Sequence, residues 1–315
     1  MTKQIGLLLL GIAVLVLGTL PLILKILVQQ LDPITLTWFR FTGAALILAG
    51  ASGRELFRDL RTNATRRGVL LTLTTASGLT GNYVFFVMGL QYLSPSTTHI
   101  VLQVVPFLVL AGGILIYHEP FDLRLVWGVF LLAIGSLLFF NQRLDEARWG
   151  TDFVLGVGIA LVSAVSWAVF FLMQKALHPT MRSRTILFCC CAAGSIALTP
   201  IASHDAITLL DQRLFVFLLL STAATAISYT ALSYAMRHIA TTTTGLTIAT
   251  IPLITVFAMM LLANRIDGLT PENLNALAIL GAVLVVIGLM VGTSQDLGTA
   301  RIVNETDSHT QERGF

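Results

Sequence analysis

Two stretches of this chain repeat one another. Around residues 83–119 and 229–265 the correspondence holds at a constant offset of 146, setting Tyr83 on Tyr229, Asn82 on Ser228, Thr97 and Thr98 on Thr243 and Thr244, and Pro106 on Pro252. At the flanks Gly6 and Lys25 fall on Gly156 and Lys175 at an offset of 150, and Gly128 and Gly135 fall on Gly281 and Gly288 at 153. A tandem duplication constrains the fold before any single motif does, because each copy must build the same unit.

The unit is apolar. With 56% hydrophobic and 11% charged residues, the chain cannot clothe an ordinary soluble surface. About 20 apolar residues cross a bilayer, and ten such runs occur, at 5–27, 33–51, 68–90, 96–117, 123–140, 153–177, 185–201, 214–236, 242–263 and 274–292. Five runs per copy is an odd number, so the second copy enters the membrane from the opposite side. The expected fold is an all-α integral membrane protein of ten transmembrane helices, arranged as two inverted five-helix repeats. The repeats occupy 1–145 and 146–293, and a polar tail, 294–315, is expected to be disordered and cytoplasmic.

Charge fixes an orientation. If the N-terminus is cytoplasmic, thirteen Lys and Arg fall on the inner side and five on the outer, with Arg40 inside a span. That asymmetry places both termini inside. The first run is long enough to span and lacks a cleavage site after a short core, so it reads as a retained helix. Cys189, Cys190 and Cys191 are consecutive and point about 100° apart on a helix, which suits small buried hydrophobes and neither a metal site nor a disulfide framework.

Polar residues inside the spans mark the candidate site. The third and eighth spans are rich in small and hydroxyl residues, which let helices approach closely in lipid. They carry Asn82 and Tyr83, and Tyr229 and Tyr234, as wall of a central cavity or as glue between helices. The fourth span opens on a Ser94–Pro95 cap and then presents His99, Gln103 and Pro106 on one face. Pro106 cannot donate to the carbonyl of Leu102, nor Pro252 to that of Ile248. Helix breaks at matching depth in two related helices point to a transporter's binding region or its gate, with an ordinary proline kink that serves packing as the alternative. The ninth span offers Thr243, Thr247 and Thr250 on its own face. Arg40 must face other helices or a wet cavity, holding either structure or substrate. Lys25 either snorkels to the headgroups or contacts a ligand. The segment 53–67 sets Arg54, Arg58 and Arg61 at helical spacing beside Leu56, Phe57 and Leu60, a pattern for the membrane surface.

These residues resemble a known family. Pro33 through Trp38, Phe39, Arg40 and Phe41 is similar to its second helix. Gly18 and Thr19 to Lys25 resembles its first-helix element, with Leu17 in place of a tryptophan, and Ser166, Trp167 and Lys175 resemble the same element in the second copy. Glu119, Pro120 and Phe121 followed by Gly128 and Gly135 resembles the motif that closes each half, echoed by Leu269, Thr270, Gly281 and Gly288, with Arg265 where the first copy has Glu119. The chain thus resembles the EamA family of the drug/metabolite transporter superfamily over almost its whole length. The resemblance implies a bacterial inner-membrane carrier, often an exporter of amino acids or related metabolites, with a central cavity between the halves in which Trp167 takes part.

The functional expectation is transport of a small-molecule substrate, neutral, zwitterionic or amphipathic, by alternating access. No Asp or Glu lies deep in a span, so His99 is the candidate for proton coupling, and downhill facilitation is equally open. An intramembrane enzyme is the alternative, but His118 and Glu119 lack the second histidine of a metalloprotease pair, where Asp122 stands. A channel would need a filter-like run or a ring of charge. No cofactor, metal or nucleic acid is called for; the partners are the lipid bilayer, the substrate and, under coupling, protons.

Overall fold

The structure, a computed structural model, describes residues 3–118, 123–139, 141, 150–239, 241–262, 266 and 275–292. The motif opening at Glu119, its echo at Leu269 and Thr270, Asp122, Arg265, the repeat boundary at 145/146 and the tail lie outside these residues. The described chain is helical: α1 (Lys3–Leu27), α2 (Pro33–Thr62), α3 (Arg66–Tyr92), α4 (Pro95–Leu102), α5 (Val104–Tyr117), α6 (Leu123–Phe139), α7 (Thr151–Leu177), α8 (Ser183–Leu198), α9 (Gln212–Ala235), α10 (Thr241–Ile248), α11 (Ile251–Leu262) and α12 (Ala276–Gly292). Among the described residues seven helices are long and apolar enough to cross a membrane, counting α4 and α5 as one. Three shorter apolar helices, Leu123–Phe139, Leu246–Leu262 and Ala276–Gly292, stand where the sequence predicts the other crossings. The protein is an all-α, multi-pass membrane protein.

Local chemistry sets the helix ends. Asp32 Oδ1 accepts from the amides of Ile34 and Thr35 at 3.0 and 2.9 Å, with Pro33 where a missing amide does no harm. Ser94 Oγ accepts from Thr97 N at 3.1 Å, and Asp211 Oδ1 from Leu214 N at 2.7 Å. The fourth span breaks at Gln103 between α4 and α5, and the ninth at Ala249 and Thr250 between α10 and α11. Each break lies one turn before its proline, where the proline leaves a carbonyl without its intrahelical donor.

The halves pack as an antiparallel pair. A methyl placed on Gly128 of α6 would lie 2.6 Å from Gly292 Cα and 2.8 Å from Gly288 O; one on Gly288 would lie 2.7 Å from Gly128 O. Gly135 meets Gly281 O at 2.8 Å in the same sense. Gly128 and Gly135 correspond to Gly281 and Gly288, yet Gly128 touches Gly288 and Gly135 touches Gly281. Such a crossed, reciprocal pattern requires antiparallel helices related by a twofold axis perpendicular to them. The α2–α8 seam obeys the same rule, because partners descend along α8 as they ascend along α2. Thr35 Oγ1 accepts from Ser203 N at 2.7 Å, Trp38 Nε1 donates to Thr199 Oγ1 at 3.0 Å, Thr42 Oγ and Ser195 Oγ lie 2.7 Å apart, and Arg184 donates to Ala51 O at 3.1 Å. Helix α3 runs along α7, and its counterpart α9 along α1. This is the geometry of inverted repeats.

One expectation changes. The segment 53–67 is not simply a surface strip: helix continues to Thr62 after a kink at Gly53, whose φ of 50° and ψ of −136° only glycine adopts without strain. Phe57 stays exposed, but the opposite face clamps the second repeat. Asp59 Oδ2 accepts from Arg182 N at 3.1 Å and Thr185 Oγ1 at 2.8 Å, and Glu55 pairs with Arg182. Beside this clamp, at the turn after α7, His178 is held neutral: burial first, then Arg237, His238 and Lys175, push its pKa down to about 3.

Two predictions test this packing. Gly128→Leu forces a side chain into backbone that no rotamer change relieves, and should lower stability in detergent by about 1–3 kcal/mol or abolish monodisperse protein. Gly158→Ala, where nothing lies within 4 Å, should be neutral or stabilise by up to about 1 kcal/mol. Thermal melts of both variants decide it. For His178, an unfolded-state pKa near 6.5 above a folded one of about 3 means the unfolded chain takes up the proton first. Stability should therefore fall as pH drops below about 6.5, by up to roughly 1 kcal/mol per pH unit, and melts at stepped pH should show a shallower fall in His178→Phe.

Candidate substrate cavity

The centre of the molecule is built where the copies meet on the pseudo-twofold axis. Tyr83 and Tyr229, equivalent in the duplication, face each other with ring centroids 5.3 Å apart. Gln103 and Ala249, also equivalent at an offset of 146, touch as well: Gln103 Nε2 donates to Ala249 O at 3.1 Å, satisfying a carbonyl freed by the ninth-span break. Small residues permit this approach. A methyl on Gly78 of α3 would lie 2.8 Å from Phe170 N and 2.9 Å from Ser166 O of α7.

Between these contacts lies a cavity of about 40 Å³ lined by Leu17, Leu20, Pro21, Leu24, Arg40, Asn82, Tyr83, Phe86, His99, Leu102, Trp167, Tyr229 and Ile251. A smaller space of about 10 Å³ continues from it to the two helix breaks, sharing His99, Leu102, Trp167 and Ile251 and adding Gln103, Pro106, Ile248, Ala249 and Pro252. The larger space has room for a few waters and none for a solute of amino-acid size. This is a contracted site.

Its polar groups divide by what holds them. Arg40, 1% exposed, donates from Nε and Nη2 to the single hydroxyl of Thr225 at 3.1 and 2.9 Å, and its guanidinium sits 4.6 Å from the centroid of the Tyr83 ring. Asn82 works as interhelical glue while lining the cavity: its amide donates to Ser163 Oγ at 3.0 Å and accepts from Tyr229 OH at 3.3 Å, and Ser163 Oγ returns a bond to Asn82 O at 3.1 Å. By contrast His99 Nε2 and Trp167 Nε1 are buried with no hydrogen-bond partner among the described residues, and the Tyr83 hydroxyl lies beside those of Thr225 and Tyr229 without a well-formed bond to either. Unpartnered buried polar atoms are costly, and their gathering around one cavity points to a ligand or to water.

The structure thus gathers Arg40, Asn82, Tyr83, His99, Trp167 and Tyr229 at the larger space, and Gln103, Pro106 and Pro252 at the smaller. It leaves four candidates outside both. Tyr234 lies under the Arg184 guanidinium at 5.7 Å. Thr247 and Thr250 donate to Thr243 O and Thr247 O at 2.9 and 2.7 Å, within their own span. Lys25 Nζ donates to Leu90 O at 2.5 Å and Leu93 O at 3.2 Å, tying α1 to the end of α3. Sequence reasoning counted Thr225 only among the small and hydroxyl residues of the eighth span, and overlooked Phe86. Thr225 precedes Tyr229 by one turn and Phe86 follows Asn82 by one turn, so extending each polar face by four residues finds both.

Comparison with known proteins places this architecture. The profile of the EamA-like transporter family matches residues 4–141 and again 154–293. The chain is 30% identical over 276 residues to the uncharacterized inner membrane transporter YhbE of Escherichia coli K12, covering 87% of this chain and 86% of that one. It is 29% identical over 281 residues to an uncharacterized transporter of Haemophilus influenzae, covering 87% and 90%. A crystal structure 16% identical in sequence superposes with a TM-score of 0.71 over 93% of this chain and 99% of its own, a likeness of fold.

Lys25→Met should leave two carbonyls at the end of α3 without their donor, and lower the melting midpoint by the equivalent of about 1–3 kcal/mol. Because Lys25 stands off the cavity, ligand affinity at the same site should stay within twofold of the parent.

Proposed function

The chain belongs to the EamA-like transporter family, and from that premise we propose that it is an inner-membrane carrier that exports a small metabolite by alternating access, with both termini cytoplasmic. The substrate is drawn from amino acids and related neutral, zwitterionic or amphipathic compounds. The observation that carries this reading is the contracted cavity on the pseudo-twofold axis, with His99 Nε2 and Trp167 Nε1 unpartnered around it among the described residues.

A space this small supports a carrier over a pore, because admitting a solute requires the halves to move apart. The inverted repeats supply the means: exchanging the shapes of two equivalent halves turns an inward-facing cavity into an outward-facing one. The breaks at Gln103 and at Ala249–Thr250 are the gating elements, since a helix lacking one bond bends there at least cost. Arg40, Asn82, Tyr83, His99, Gln103, Trp167 and Tyr229 form the binding wall. Lys25, Tyr234, Thr247 and Thr250 hold the scaffold. Protons, where coupled, act through His99.

Proteoliposomes holding the purified protein, loaded with a labelled pool of amino acids and small metabolites and followed with and without a pH gradient, test the reading. Movement of at least one compound is expected, and accumulation above equilibrium only with the gradient makes the carrier proton-coupled. Gln103→Leu, Tyr83→Phe and Tyr229→Phe should each change the rate or the apparent KM severalfold while expression holds. Unaltered kinetics in all three would remove these residues from the wall.

A further inference from the structure

We propose that the solute carried in the central cavity is a monovalent organic anion, a carboxylate with a small apolar body and no ammonium group, docked on Arg40 and Trp167. The inference rests on the carrier reading and narrows it to one charge type.

Charge is the first argument. Arg40 is 1% exposed, and its Nε and Nη2 share one neutral acceptor, Thr225 Oγ1. Among the described residues no carboxylate pairs with it and nothing accepts from Nη1. A buried cation normally has a counter-charge or several acceptors, and guanidinium geometry suits a carboxylate in two-point contact. The lone guanidinium therefore awaits an anion.

The balance of donors and acceptors is the second argument. Trp167 Nε1 can only donate and His99 Nε2 donates in one tautomer; both are buried without a partner among the described residues, and Tyr83 OH, beside the Thr225 and Tyr229 hydroxyls, can donate as well. Of the acceptors near them, Asn82 Oδ1 takes a bond from Tyr229 OH and Ala249 O one from Gln103, while the Leu102 and Ile248 carbonyls lack the intrahelical donor that Pro106 and Pro252 cannot supply. A carboxylate brings about four lone-pair sites to the Arg40 guanidinium and these donors. An ammonium would add three more donors beside a guanidinium that repels it, and the Tyr83 face that could receive it is already covered by Arg40. The remaining wall, Leu20, Leu24 and Phe86, is apolar and would face a short apolar body once the halves part.

Three probes with one carbon skeleton separate the charges: 4-methylpentanoate, leucine, and 3-methylbutylamine. Thermal melts of the purified full chain in detergent, titrated with each, give apparent affinities. The acid is expected to stabilise with an affinity at least about tenfold tighter than leucine, as one charge-assisted hydrogen bond allows, and the amine should give no shift. Trp167→Phe keeps the ring and loses the N–H, and should weaken the acid about tenfold with the protein's own midpoint unchanged. Arg40→Gln should abolish acid binding, and because that variant can fail to fold, the Trp167→Phe result stands independently. Equal or tighter binding of leucine or the amine, no shift with any probe, or unweakened acid binding in Trp167→Phe each overturns the inference. Transport of leucine or an amine without preference for the acid sinks the anion and leaves the carrier; acid binding without transport of any compound does the reverse.

Discussion

Everything in this molecule depends on helices being allowed to touch backbone to backbone. In a bilayer, burying an apolar side chain against another gains little over burying it in lipid, so association rests on close packing and on polar bonds that closeness permits. Gly128, Gly135, Gly281 and Gly288 supply that closeness where α6 crosses α12, and Gly78 supplies it where α3 meets α7. The Asn82–Ser163 bonds follow directly, because they need α3 and α7 at a separation that a larger residue at 78 would forbid. Placing Trp167 opposite Tyr83 follows in turn. Packing is thus the first link and the cavity the last.

The same closeness makes Arg40 tolerable. A charge of this kind costs about 2.5 to 3.5 kcal/mol at a bilayer centre on insertion scales, and α2 alone offers nothing against it. Thr225 comes from α9 of the other half, its own hydroxyl aimed by a bond to Ser221 O at 2.8 Å, and Tyr83 gives its ring face from α3. Stabilising this one side chain takes three helices from both repeats. A motion separating the repeats therefore also changes the surroundings of the guanidinium, which ties binding to the packing of the halves.

Much of this was readable from spacing. The apolar runs place most helices to within a few residues, since length and hydropathy set a crossing, although α2 runs on to Thr62 past the run that ends at 51. The offset of 146 foretells that Tyr83 and Tyr229 are partners in symmetry, and Pro106 and Pro252 mark where the spans break. Contacts across the seam were not readable. Nothing local distinguishes Asn82, whose amide is bonded on both sides, from His99, whose Nε2 has no partner among the described residues; the difference lies in Ser163 and Tyr229, distant in sequence. Likewise Lys25 reads equally as a snorkelling or ligand-binding lysine until Leu90 O and Leu93 O appear within reach. Segment 53–67 misled for a related reason: its arginines and Phe57 describe the outward face, whereas Asp59 meets a partner over a hundred residues on.

The crossed glycine contacts of α6 and α12 have the form of an isologous interface, the self-complementary patch by which identical subunits pair. An assembly of two identical halves would repeat every residue across its axis, and a lone arginine near that axis would become two like charges enclosed in one small space. In the fused chain the position matching Arg40 at an offset of 150 is Cys190, fully buried and uncharged. Joining the halves in one polypeptide thus lets symmetry in the backbone coexist with asymmetry in charge. The frame can rock between equivalent shapes while the cargo meets a different chemistry on each side.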